Sequence, residues 1–455
     1  MLGLRKRVSE SKGTIKTFEY DGFAVSGEGE AKTLYAGTSI NCDCRGGVLT
    51  TGVGLNVLLM NDGTNPDLPI GGSVRTIYPI KQLAEDGKSW EERIAFVARN
   101  GMFGCYVSEY GGYRLRFSLG KKVTPMRITD PNLKDTTMFI GESGVLCCDI
   151  NGQLSGLEIQ NNLTIGCACK NRLFIGLKPY TIVYSSPQTP LIFTESTHGA
   201  GKIHLPVEKG NMVGIINFKE TVYVFFDRGI MRLEACGSPY EFKAVDLAYG
   251  GGKIYPYSIG VCGDQVMFLA TDGIYRFDGE RLEKVRCLPV FPAEDSTEQW
   301  CCHTSFEGMY LLRYLDQDGT FKIAVVYEDG KSGYFTDTFD AVHEGDGRAF
   351  CQYGLKIGMI TRNGKLTSTS GYLFETADMD FGLLGRKTLR CLRFEGEGAM
   401  TVTVKTASGE RTKRLEFSNG VAVWKVRERG EAFRFGIHLE NGTRVRKMTA
   451  EIEYL

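Results

Sequence analysis

No apolar run in this 455-residue chain reaches the roughly 18 residues a membrane-spanning helix needs, so no membrane span is expected. Net charge is missing too: 54 Lys plus Arg balance 54 Asp plus Glu. A dedicated nucleic-acid binder would carry a clear basic excess, so that class is disfavoured. The five histidines (His198, His204, His303, His343, His438) are scattered without HxH or HExxH spacing, and there is no CxxC pair, so no metal site is expected. The N-terminal MLGLRKRVSESKG is basic but has no apolar core or small-residue cleavage site behind it, so no secretory signal is expected. Fourteen cysteines would suggest disulfides in a small secreted domain. Here Cys42 and Cys44, and Cys167 and Cys169, are i,i+2 pairs on one strand face, while Cys147–Cys148 and Cys301–Cys302 are adjacent and point to opposite faces. None favours a local disulfide. They read as buried small hydrophobes in a reducing cytoplasm.

What the chain does have is 57 Gly, 26 Phe and 21 Tyr against only 13 Pro, a composition for many short strands joined by tight turns. At this length it holds more than one folding unit. One hairpin is written twice. TVYVFFDRGIMRLEA at 221–235 and QVMFLATDGIYRFDG at 265–279 align without a gap at a spacing of 44 residues. Val222 matches Val266, Gly229 matches Gly273 and Arg232 matches Arg276. Each is a β-branched and aromatic run, a polar corner ending in Gly, then an alternating strand; the Gly supplies the positive φ expected at the corner.

The formula recurs at Ile94–Gly101, Thr137–Gly144 and Ile357–Gly364, and more loosely at 173–186 and 309–327. The corners fall at Gly101, Gly144, about 180, Gly229, Gly273, Gly319 and Gly364, a period of about 44 residues. A strand repeat of that length is the mark of β-propeller blades, and a ring of blades must join its first to its last. The fold expected is all-β: an about seven-bladed β-propeller followed by a small C-terminal β-sandwich. Residues 1–90 form an N-terminal arm and strands that help close the ring, with a strand from 47–80 completing the last blade and a short helix at Ile80–Asp86. Blades occupy 91–372. No Trp-Asp dipeptide or Gly-His pattern marks a WD40 or kelch repeat.

Residues 386–455 lose the formula. Six strands with period-2 alternation, as in Phe433, Phe435 and Ile437 against Arg434 and His438, indicate the sandwich. This segment holds 15 Lys plus Arg and 9 Asp plus Glu, a net +6, leaving −6 on the rest. The asymmetry suits an acidic partner or a DNA passage, and equally a solvated sheet face.

Candidate chemistry is sparse. Gly250-Gly-Gly-Lys253 and Gly199-Ala-Gly-Lys202 lack the Ser/Thr and the helix of a phosphate loop. Leu315-Asp-Gln-Asp-Gly-Thr-Phe321 resembles part of a calcium loop but lacks the downstream Glu, and reads as a hairpin turn. Propeller hydrolases place acidic pairs and arginine clusters at the mouth of the central channel, where the corner residues Asp227-Arg228, Asp272 and Asp278 would have to lie to act. No catalytic, cofactor-binding or metal residues are assigned, and no enzyme is expected. The residues singled out are the structural blade corners Gly101, Gly144, Gly229, Gly273, Gly319 and Gly364.

Two motifs carry a resemblance. Gly273-Ile-Tyr-Arg-Phe-Asp-Gly279 follows a hydrophobic run, and Arg429-Gly-Glu-Ala-Phe-Arg-Phe-Gly-Ile437 lies in the final segment. Together with GIINFKETVYVFFDRGIMRLEA they make residues 165–455 resemble the packaged-DNA stabilisation or tail-hub proteins of short-tailed phages. The resemblance implies a non-enzymatic virion protein at the head–tail junction, assembled in the host cytoplasm. It would form a homo-oligomeric ring around the DNA channel that helps retain packaged DNA. The implied partners are further copies of itself and portal, adaptor or tail proteins, with packaged DNA nearby and no cofactor. Two alternatives stay open: a carbohydrate-binding or carbohydrate-cleaving propeller of a phage tail, and an intracellular scaffold propeller.

Overall fold

The computed structural model of the protein describes residues 13–25, 32–60, 74–83, 86, 88–98, 102–107, 111–118, 123–130, 134–142, 144–148, 154–157, 163–177, 180–187, 190–193, 199–236, 238–285, 292–293, 301–335, 339–345, 347–354, 356–362 and 371–454. Among them, regular structure is strand apart from two 3-10 turns, Arg45–Gly47 and Val207–Lys209. No helix among them is long and apolar enough to cross a membrane.

The twice-written hairpin folds the same way twice. Thr221–Phe226 pairs antiparallel with Gly229–Cys236, Phe226 opposite Gly229; Gln265–Ala270 pairs with Gly273–Phe277, Ala270 opposite Gly273. Each leading strand has one half-buried residue followed by five buried ones. Burial on both faces explains why these strands read as continuous apolar runs. Phe225 and Phe268 are fully buried and meet edge to face at 5.4 Å, each worth about 1.5–3 kcal/mol relative to exposure. The corner glycines differ from expectation. Gly273 has φ +139°, whereas Gly229 lies outside the positive-φ region and is small because a Cβ would sit 2.7 Å from Lys209 Cδ.

These hairpins are the middle strands of four-stranded sheets. Among the described residues seven such sheets follow one another, spanning 74–118, 123–157, 163–204, 212–247, 260–284, 302–335 and 341–361. The fourth strand of the seventh is Gly54–Met60, laid beside Lys356–Thr361. The seventh sheet also corrects the expected corner at Gly364. Its middle hairpin is Arg348–Tyr353 and Lys356–Thr361, turning at Gly354 (φ +56°). Ile357–Thr361 is therefore a third strand rather than a second, and Gly364, like Gly101, lies outside the described residues.

First strands of neighbouring sheets touch. The contacts run from Val74–Leu83 through Val123–Asp130 and Leu163–Cys169 to Met212–Phe218, and from Gly260–Cys262 through Cys302–Phe306 to Ala341–Gly345. The fourth and fifth sheets share a core that includes Phe218, Phe225, Ile259 and Phe268. Ala341–Gly345 then meets Val74–Leu83, so the last sheet touches the first. Side chains stitch these strands: Thr76 donates to the Val123 carbonyl, Asn217 to Ala168, Ser305 to Val261 and Thr304 to His343. At the closing contact, Phe350 packs with Ile77, Ile94 and Phe96, and Arg348 grips Glu92 through two hydrogen bonds of 2.6 and 2.8 Å.

The chain divides into two compact units: Leu55–Gly330 with Asp337–Thr367, and Met1–Gly54 with Lys331–Thr336 and Ser368–Leu455. This differs from the boundaries drawn at residues 90 and 386. The second unit holds a seven-stranded and a six-stranded sheet, and both ends of the chain build it. Thr14–Tyr20 pairs along its whole length with Tyr454–Met448, and Thr33–Ile40 pairs with Tyr372–Thr376. Burial alternates as the C-terminal pattern requires: Val445, Met448, Ala450 and Ile452 are inside while Arg444, Arg446 and Glu451 are exposed. The helix expected at Ile80–Asp86 is absent over its described part. Residues to Leu83 continue Val74–Leu83, and Asp86 instead accepts from the Lys88 and Ser89 N–H groups in the turn.

Candidate functional site

The acidic corners are occupied by the fold itself. Asp272 accepts from Gly252 N–H at 2.9 Å, Tyr275 Oη at 2.6 Å and Lys284 Nζ at 3.2 Å. Burial pushes its carboxyl up, but these donors prevail and hold it below the usual carboxylate value. Asp278 accepts from the Glu280 and Arg281 N–H groups at the far end of Gly273–Phe277. A five-residue strand separates them by roughly 17 Å, so Asp272 and Asp278 are no carboxylate pair. The Gly252 and Lys253 amides that a phosphate loop would present are taken by Asp272 and by Thr271 Oγ1, and Gly201 begins the strand Gly201–His204.

Around Gly319 (φ +78°), Lys322 Nζ bridges Asp316 and Asp318, and Thr320 N–H donates to Asp318. The Lys322 ammonium and the Thr320 donors bring the Asp318 carboxyl down to about 2. This is a hairpin turn held by a lysine. Gly144 and Gly273 each open the third strand of a sheet, both with φ +139°. Among the described residues no group of three or more His, Cys, Asp or Glu is placed to hold a metal. His204 and His438 are exposed, His343 is buried, and His198 lies outside the described residues. Cys42, Cys44, Cys147, Cys167, Cys169, Cys262, Cys301 and Cys351 are buried free thiols.

The positive excess of residues 386–455 is met partly by acids from outside the segment. Arg434 bonds Asp378 at 3.1 Å, Lys405 bonds Glu375 at 2.6 Å, and Lys447 reaches Glu19 and Asp21 at 3.0 and 3.1 Å. Local ion pairing accounts for much of the asymmetry; such surface pairs contribute little stability.

Where the first strands of the second to sixth sheets converge there is a cavity of about 470 Å³. Its walls include Val123, Pro125, Ile165, Ile215 and Ile259, and its polar groups include Asn211, Asp227, Lys253 and His303. Asp227 Oδ2 accepts from both the Asn211 N–H and its Nδ2, each at 3.0 Å. His303 Nδ1 lies 2.7 Å from the Tyr257 carbonyl oxygen, which can only accept, so Nδ1 carries the proton. Part of the ring stays open to the cavity while the rest is enclosed against Tyr310. Burial pushes the imidazole pKa down, against the pull of the carbonyl, leaving it neutral near pH 7. Tyr257 is held at φ +62°, uncommon for a bulky side chain.

Of the residues named in the sequence, Asp227, Lys253 and His303 line this cavity, the last two from patterns read as no site. A signal in the spacing does exist. Ile215, Ile259 and His303 stand 44 residues apart, the hairpin period, and all three are lining residues. Ile215 faces Val224 and His303 faces Leu312, the same register two repeats on.

No protein-family model and no curated protein matches the chain. Among solved structures it is similar to a streptogramin B lyase (14% identity, TM-score 0.43, 65% of this chain and 95% of that one). It is also similar to the Pan2 WD40 domain of Neurospora crassa (8%, 0.42, 68% and 96%) and to BamB from Moraxella catarrhalis (12%, 0.36, 78% and 97%).

Proposed function

We propose that the seven four-stranded sheets are the blades of a seven-bladed β-propeller, closed by Gly54–Met60, and that the two larger sheets form a β-sandwich built from both chain ends. On this reading the protein is a structural, non-enzymatic virion component of a tailed phage, at the head–tail junction or tail hub. It assembles as a homo-oligomeric ring around the DNA channel, contacts portal, adaptor or tail proteins, and helps retain packaged DNA.

The observation that carries the reading is where the resemblance motifs fall. Gly273–Phe277 is a third strand, and Asp278 of the same motif holds its exit turn by accepting two backbone N–H groups. The 429–437 motif leads into Arg434–Leu439, which lies between Tyr372–Thr376 and Ala399–Thr406. Both motifs serve the scaffold, and the Asp272 and Asp278 carboxylates are engaged in turns, which supports a structural role over a catalytic one. Mass photometry and electron microscopy of the purified chain test it. Ring-shaped oligomers are expected; a monomer at every concentration that also stays out of particles would refute it.

A further inference from the structure

We propose that the cavity at the converging first strands binds a small amine carried on an apolar body. The inference is independent of the virion reading, whose test is assembly.

Its acceptors point to that class. Asp227 Oδ2 is taken up by Asn211, but Oδ1 has no partner among the described residues. His303 spends its proton on the Tyr257 carbonyl, so the neutral imidazole presents no further N–H to the cavity. An ammonium matches the Asp227 carboxylate beside an imidazole with no donor to spare, while the aliphatic walls formed by Val123, Ile165, Ile215 and Ile259 shed water onto an apolar body. The volume, about 470 Å³, lies within the range of small-molecule sites.

Packing alone does not account for the histidine. At the equivalent wall position the two preceding sheets use Ile215 and Ile259, and an aliphatic side chain there needs no hydrogen-bond partner. The imidazole is accommodated by Gly260, where a Cβ would collide with His303 Cδ2 and Nε2. Lys253 also lines the cavity, which makes an anion the competing ligand.

The test titrates the full chain calorimetrically with benzylamine, benzyl alcohol and benzoate. Benzylamine is expected to bind saturably in the millimolar range and more tightly than the other two. Asp227→Asn, which keeps an oxygen for Asn211, should weaken it at least about tenfold, as loss of a charged hydrogen bond does. Melting of each variant separates lost binding from lost fold. Should Asp227→Asn fail to fold, His303→Ile, matching the two preceding repeats, should lower benzylamine affinity severalfold. Benzoate binding as tightly as benzylamine, no binding of any probe, or benzylamine affinity unchanged in a folded variant would overturn the proposal.

Discussion

Truncating Phe350 to Ala probes the contact between the last sheet and the first. Its ring is fully buried and packs with Ile77, Ile94 and Phe96 of the first sheet, with Ile357 and Met359 of its own sheet against the cluster. Removing a phenyl ring from such a site costs the lost transfer free energy plus that of the cavity left behind, together about 3–5 kcal/mol. For a domain of this size each kcal/mol lowers the melting temperature by roughly 2 °C or somewhat more. The assay is thermal unfolding followed by near-ultraviolet circular dichroism, with Leu384→Ala as control. Leu384 is fully exposed at 101%, so its loss should change stability by no more than about 0.5 kcal/mol. The two variants share the chemistry of large-to-small truncation and differ in what surrounds the side chain. A Phe350→Ala loss below about 1 kcal/mol would mean that the last sheet is not packed onto the first, because a ring enclosed by side chains of both sheets leaves little room for the site to collapse.

Gly273→Ala should destabilise by about 1–2 kcal/mol through its φ of +139°, and Gly229→Ala by less, since only the flexible Lys209 chain must move; paired thermal melts give the order. Deleting residues 1–20 strips a strand from Arg444–Tyr454, and hydrogen exchange should show faster exchange of that strand's amides. Asp318 has its carboxyl lowered from 3.8 to about 2 in the folded protein. A depressed folded value gives stability that is present above the unfolded pKa and lost as pH falls through the folded one. Asp318→Asn should therefore flatten the fall in melting temperature between pH about 4 and about 2, and an unchanged profile would dismiss the lysine-held turn.

The legible parts of this fold are those where a strand's environment writes itself locally. Val222–Phe226 and Val266–Ala270 are buried on both faces and joined to their partners by two-residue turns, so run and corner recur at a fixed distance. The seventh sheet departs from the phase because its fourth strand is Gly54–Met60, so in sequence the 357–361 strand reads as the start of a hairpin. Pairing of Thr14–Tyr20 with Arg444–Tyr454 leaves no local mark, since a strand's partner at the other end of the chain imposes only alternation. A helix at Ile80–Asp86 rests on seven residues, too few to separate a 3.6 from a 2.0 period, and Ile80–Leu83 is strand. The cavity was legible in principle from Ile215, Ile259 and His303 at the repeat spacing. A histidine in an aliphatic register stands out only once the register is drawn.

The most direct test of the virion reading is cryo-electron microscopy of phage particles assembled with this chain carrying a bulky tag. A ring of tag density around the DNA channel at the head–tail junction or tail hub is expected. Mature particles that are complete, retain their DNA and contain none of this chain would contradict it.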